Sequence, residues 1–125
     1  MTIAYWCVLV AIFLPIVWAG VAKTGAKGYD NARPREFLAK LEGRAARANY
    51  AQANSYEAFP PFAAGVVIAH VTGGAAQSTI DLLAVVFIVA RIAYGLCYIA
   101  DRSTARSLVW LVGFGATVGL YFAAA

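Results

Sequence analysis

Met1 to Ala22 is a run of 22 residues without one charged side chain, and about 20 apolar residues in a helix are what it takes to cross roughly 30 Å of hydrocarbon. Such a run leaves few folds open. Inside a bilayer each backbone N–H and C=O must be satisfied internally, which restricts spanning segments to helices or closed barrels. Three further runs read the same way, at Ala51 to Val71, Ile80 to Ala100 and Arg106 to Ala125. Of the 125 residues 62% are hydrophobic and only 13% charged, far from the balance of soluble domains. The expectation is an all-α integral membrane protein made of one domain, 1–125, with spans at about 1–22, 51–71, 80–100 and 106–125 and a basic loop over 23–50. The second span is the least regular. Gln52, Asn54 and Glu57 occupy its first turns, and Pro60-Pro61 interrupts its hydrogen-bond ladder, so its lower half must face protein or water.

The first run exceeds the 7–15 apolar residues usual in a cleaved leader and lacks a basic start, which reads as a retained helix. Lys23, Lys27, Arg33, Arg35, Lys40, Arg44 and Arg47 precede the second span, Arg102 and Arg106 join the last two, and Val71 to Thr79 has no base. By the positive-inside rule both basic connections are cytoplasmic and both termini lie outside. The net charge of +4 then belongs to solvated or headgroup-facing loops and calls for no nucleic acid. Cys7 and Cys97 lie within spans without C-x-x-C spacing and read as small buried side chains. His70 has no His or Cys neighbour in sequence, so no metal site is expected. Gly115 and Gly119 give a G-x-x-x-G spacing that allows close helix approach.

Against this apolar background Glu57 and Arg91 stand out. A lone charge in hydrocarbon costs several kcal/mol, so such residues face a partner, a cavity or a ligand. At 100° per residue Arg47, Tyr50, Asn54 and Glu57 fall within about 80° of one another on a helix. Arg91, Tyr94 and Tyr98, at i, i+3 and i+7, cluster within about 60°. The two stripes run toward the same cytoplasmic surface. Together they would line a cavity suited to a small anionic or zwitterionic molecule. The alternative is a non-catalytic scaffold in which Glu57 and Arg91 form a buried ion pair that sets helix register.

Asn54-Ser55-Tyr56-Glu57-Ala58-Phe59-Pro60-Pro61-Phe62, preceded by Ala51-Gln52 and followed by Arg91-x-x-Tyr94-x-x-x-Tyr98, resembles the MAPEG family, the membrane-associated proteins in eicosanoid and glutathione metabolism. Lys27 to Phe37 is similar to the first cytoplasmic loop of its small bacterial members. The resemblance covers essentially the whole chain. It implies a homotrimer of four-helix bundles in a bacterial inner membrane, with glutathione as co-substrate between subunits and a hydrophobic small molecule as the second substrate. It assigns Arg47, Asn54, Glu57, Arg91, Tyr94 and Tyr98 to glutathione binding and Arg106 to the sulfur. The chain departs from the pattern at Tyr50, where many members have arginine, and at Ala58, where they have tyrosine.

The chemistry at such a sulfur is general. A thiol with a pKa near 8.5 is mostly protonated at pH 7, while the thiolate is the nucleophile. Lowering that pKa by two units takes about 2.7 kcal/mol. A fixed guanidinium from Arg106 at the positive end of a helix is expected to supply it.

Overall fold

The computed structural model describes residues 1–125 and contains five helices and no strand: α1 (Ile3–Thr24), α2 (Pro34–Ala39), α3 (Gly43–Thr72), α4 (Gln77–Ile99) and α5 (Ser103–Ala124). Three of them, α1, α4 and α5, are long and apolar enough to cross a membrane. The expected second span falls within α3, which is the longest helix but is diluted by Gln52, Asn54, Glu57, the two prolines and His70. It also begins at Gly43, well before Ala51. The buried alanines Ala45, Ala46, Ala48 and Ala51 explain the early start, since alanine is the best helix former and lets α3 lie close to its neighbours. Arg44, Arg47 and Tyr50 therefore ride on the same rigid rod as Asn54 and Glu57. The rest of the basic connection folds into α2, which Pro34 opens at its first position, where a missing N–H costs nothing.

Helix α3 is the hub, packing against α1, α4 and α5, while α4 also touches α1 and α5. Midway along, Phe62 of α3 stacks on Phe87 of α4 with centroids 3.7 Å apart. Val66, Ala69, Ile80, Ala84, Ala116 and Leu120 complete that cluster with Ala4, Cys7 and Ala11 of α1. A smaller cluster toward the other end joins Trp18, Ala22, Ala48, Ala51 and Ile99, and Leu38 and Leu41 press on it from outside. There Gly95 makes room for Trp18: a Cβ on Gly95 would overlap the indole ring. Gly113 and Gly119 lie against α4, while Gly115 touches nothing. Two of these three glycines on α5 thus serve contacts within the chain.

The end of the molecule opposite the basic loop is closed by polar side chains. Thr2 caps α1, accepting from the Tyr5 N–H at 3.3 Å, and its hydroxyl shares a hydrogen bond of 3.0 Å with His70 Nε2. His70 Nδ1 donates to the Val66 carbonyl at 2.7 Å, and the ring stacks on Tyr5. Asp81 accepts from the Ala4 N–H and from Gln77 Nε2, each at 2.9 Å. His70 is thus a hydrogen-bonded packing residue. No group of three or more metal-ligating side chains occurs, and both cysteines are free thiols.

Candidate functional site

The polar stripes of α3 and α4 meet at the α5 face that carries Arg106, Trp110, Gly113, Phe114 and Thr117. Two adjoining cavities open there. One, of about 400 Å³, is lined by Asn54, Tyr94, Arg106, Ser107, Trp110 and Leu111. The other, of about 190 Å³, lies deeper among the spans, with Asn54, Glu57, Phe87, Arg91, Trp110 and Phe114 in its wall. Asn54 and Trp110 line both, at the border where the two cavities adjoin.

On α3 the spacing of three residues lets Asn54 Nδ2 donate to Glu57 Oε2 at 3.2 Å. That bond orients the amide so that Asn54 Oδ1 is buried without a partner. On α4 Arg91 is only 3% exposed. Its guanidinium lies 4.3 Å from the centre of the Tyr94 ring, and Nη2 has no hydrogen-bond partner. Tyr94 meets Tyr98 edge to face at 5.7 Å, and the Arg106 guanidinium covers the Tyr98 ring at 4.3 Å. Two guanidiniums thus flank a pair of phenol rings, in the order Arg91, Tyr94, Tyr98, Arg106. Tyr50 joins from α3, 6.0 Å from Tyr98.

The ion pair considered between Glu57 and Arg91 is not formed. The single salt bridge joins Arg33 to Glu36, exposed in the loop, at 3.9 Å. The physical reason is that each charge already has another partner: the carboxylate takes the Asn54 amide, and the guanidinium lies on an aromatic face, an attraction worth about 2 kcal/mol when desolvated. With two guanidiniums and one carboxylate around the two cavities, the local formal charge is positive.

Of the residues singled out in the sequence, Asn54, Glu57, Arg91, Tyr94 and Arg106 line the paired cavities, and Tyr98 supports them through ring contacts. Arg47 stands apart. Its Nε and Nη2 both donate to the Ile99 carbonyl, at 3.2 and 3.1 Å, so it closes the last turn of α4. Trp110, Phe114 and Ser107 escaped the sequence reading. Their signal was present, because 106, 110, 113, 114 and 117 follow helical spacing on one face of the last span, yet aromatic and small residues in a membrane helix point equally well to lipid.

The family model described as MAPEG family matches residues 3–125, essentially the whole chain. Neither a curated protein nor a solved structure matches it.

Proposed function

This chain belongs to the MAPEG family, and on that premise we propose that it is a membrane-bound, glutathione-dependent transferase or peroxidase that acts on hydrophobic electrophiles. The family carries the coarse statement, a membrane protein of glutathione-related transferase or peroxidase type. The observation that carries the finer one is the single 400 Å³ cleft that gathers Asn54, Tyr94 and Arg106 from three helices. Its lining suits parts of the tripeptide: the Arg106 guanidinium for a carboxylate or the thiolate, and the Asn54 amide, Tyr94 phenol and Ser107 hydroxyl for peptide groups, with the Glu57 carboxylate bonded to Asn54 in the adjoining cavity for the ammonium.

In this proposal glutathione is held by Asn54, Glu57, Tyr94 and Tyr98, and Arg106 stabilises the sulfur anion. Arg106 suits that work because it sits in the first turn of α5, whose helix dipole favours negative charge nearby, and because the Tyr98 ring holds its guanidinium in place. The thiol gives its proton to water. The thiolate sulfur then bonds to the electrophilic carbon as the leaving group departs with its electron pair. The apolar partner arrives laterally from the bilayer.

The assembly is proposed to be a homotrimer of four-helix bundles in which α3 is the fourth span, with the basic connection cytoplasmic, both termini outside, and a bacterial inner membrane as its location. Buried in such an assembly, the polar half of α3 would face a neighbouring subunit rather than acyl chains, which is the placement its composition demands.

Glutathione-dependent conjugation of an apolar aryl halide by purified protein in detergent tests the reading. Arg106→Ala is expected to cut kcat/KM by 10–100-fold at neutral pH while the trimer persists, with Arg106→Lys between. If glutathione neither stabilises the wild-type protein nor supports turnover, the fold serves as a scaffold and the enzyme reading fails.

A further inference from the structure

The net charge of the chain is not spread along it. Of its ten bases and six acids, seven bases and three acids fall between Lys23 and Arg47, and the three bases and three acids elsewhere cancel, so this one connection carries the whole +4. Two of its bases are engaged: Arg33 pairs with Glu36, and Arg47 donates to the Ile99 carbonyl. Lys23, Lys27, Arg35, Lys40 and Arg44 have no carboxylate within salt-bridge distance. Nor is the segment a loose loop. Leu38 of α2 and Leu41 just beyond it pack against the cluster of Trp18 and Ala22, and Trp18 lies six residues, about 9 Å of helix, inside the end of α1 at Thr24. The free bases are therefore clamped close to the end of a membrane span, at the height of the lipid headgroups, whose layer adds about 5–8 Å to each side of the hydrocarbon.

One hollow in this connection gathers two of those bases. Lys27 and Lys40 line a space of about 420 Å³ together with half-buried Ala26, Phe37 and Leu41 and exposed Glu42. Next to it Tyr29 meets Phe37 edge to face at 5.3 Å and carries the Lys23 ammonium 5.0 Å from its ring centre, which steadies that cation and leaves its N–H donors free. Two ammoniums around one hollow repel each other unless an anion lies between them. We propose that the hollow docks the phosphodiester of an anionic phospholipid with a polyol headgroup, of the phosphatidylglycerol class. Lys27 and Lys40 donate to the non-bridging phosphate oxygens, Phe37 and Leu41 meet the lipid's first carbons, and Glu42 accepts from a headgroup hydroxyl. A choline headgroup has no donor for Glu42, and its own cation cancels the phosphate charge that the lysines select. None of these residues lines the paired cavities, and the assignment is independent of whether glutathione binds.

Lipid competition read by native mass spectrometry tests the site. Full-length protein in neutral detergent receives equal amounts of dioleoyl phosphatidylglycerol and dioleoyl phosphatidylcholine, and the lipids retained by the intact protein are counted. One base at an anionic surface is worth about fivefold in partition, so wild type at an ionic strength of about 50 mM is expected to retain phosphatidylglycerol at least about fivefold over phosphatidylcholine. The double variant Lys27→Gln/Lys40→Gln is expected to cut that preference at least about threefold, and Lys27→Gln alone about twofold. Arg33→Gln removes the same unit of charge from a base that already has a partner, and is expected to leave the preference nearly unchanged. All three positions are exposed, so the fold tolerates the changes.

A wild-type ratio near one, or a preference that survives the double variant, overturns the proposal. Equal losses in Arg33→Gln and Lys27→Gln would mean that diffuse surface charge attracts the lipid, and would overturn the docking site. Two further arms use the wild type alone. Phosphatidylethanolamine in place of phosphatidylcholine is expected to compete no better, and retention equal to phosphatidylglycerol overturns the selection for net negative charge. Glycerol 3-phosphate in excess is expected to leave the lipid in place; full displacement would make a soluble phosphate the occupant and overturn the lipid assignment. Raising the ionic strength to about 300 mM is expected to halve the preference or more, and a preference indifferent to salt would overturn the lysine contacts.

Discussion

Arg47 separates two roles that position on the helix alone leaves mixed. The family resemblance assigns it to glutathione, whereas both its Nε and Nη2 donate to one carbonyl, that of Ile99, at 3.2 and 3.1 Å. Because the two donors share one acceptor they count as a single bidentate interaction. A hydrogen bond to a charged group contributes about 1.5–3 kcal/mol net, and the lower half of that range applies because Arg47 is only partly buried. The cation also sits where the α4 dipole is negative, a further gain of about 0.3–1 kcal/mol. Arg47→Met keeps the aliphatic stem and removes both terms, so a loss of about 2 kcal/mol is expected. Titration of the detergent-solubilised protein with SDS, followed by circular dichroism, reads that loss as an earlier midpoint. Arg47→Lys restores the charge but not the fork, and is expected to recover less than half. Glutathione affinity by calorimetry is expected to change less than threefold in both. Should Arg47→Met unfold at the wild-type midpoint and lose glutathione tenfold, the side chain belongs to the ligand and the reasoning from its hydrogen bonds is refuted.

Two other sites give sharp expectations. Gly95→Ala forces a methyl into the Trp18 indole, and overpacking of this kind costs about 1–3 kcal/mol or more; Trp18→Phe in the same chain is expected to recover most of the thermal stability, and a destabilisation that Trp18→Phe leaves untouched would place the strain elsewhere. Asp81→Ala strips the acceptor from the Ala4 N–H and the Gln77 amide, at about 1–3 kcal/mol for the group left unsatisfied. Faster hydrogen exchange confined to the first turn of α1 is its expected signature, and unchanged protection there would exclude Asp81 as the cap.

What could be read from the chain follows physical lines. Asn54, Glu57, Arg91 and Tyr94 were legible because polar groups in an apolar span are costly, and helical spacing alone says which share a face. Helix α3 was legible as an element but not in extent, because hydropathy marks where lipid can lie and not where a helix begins; the alanines that start it at Gly43 pack against protein. Arg47 shares the stripe of Asn54 and Glu57, but its length lets it reach back to the Ile99 carbonyl, and reach is set by tertiary neighbours that helical spacing does not encode. Trp110 and Phe114 look like membrane-facing residues in one dimension and become cavity walls only when α5 is laid against α3 and α4.

The way the two arginines are held bears directly on function. Had Arg91 paired with Glu57, the pair would be neutral, and separating it for a ligand would leave a buried charge uncompensated, a loss of about 3–5 kcal/mol. An aromatic face does something different. It steadies a guanidinium by an attraction of about 0.5–2 kcal/mol while using none of its N–H donors, so both charge and hydrogen-bonding capacity remain for a guest. Tyr94 and Tyr98 do this twice, once at the mid-span chamber for Arg91 and once at the start of α5 for Arg106. Exchanging Tyr98 for leucine tests the principle. The Arg106 guanidinium would keep its charge and lose its support, so kcat/KM for glutathione conjugation is expected to fall about tenfold with the oligomer intact, and phenylalanine, which retains the ring face, should restore most of it. Equal losses with leucine and phenylalanine would show that the phenol hydroxyl, not the ring, carries the role.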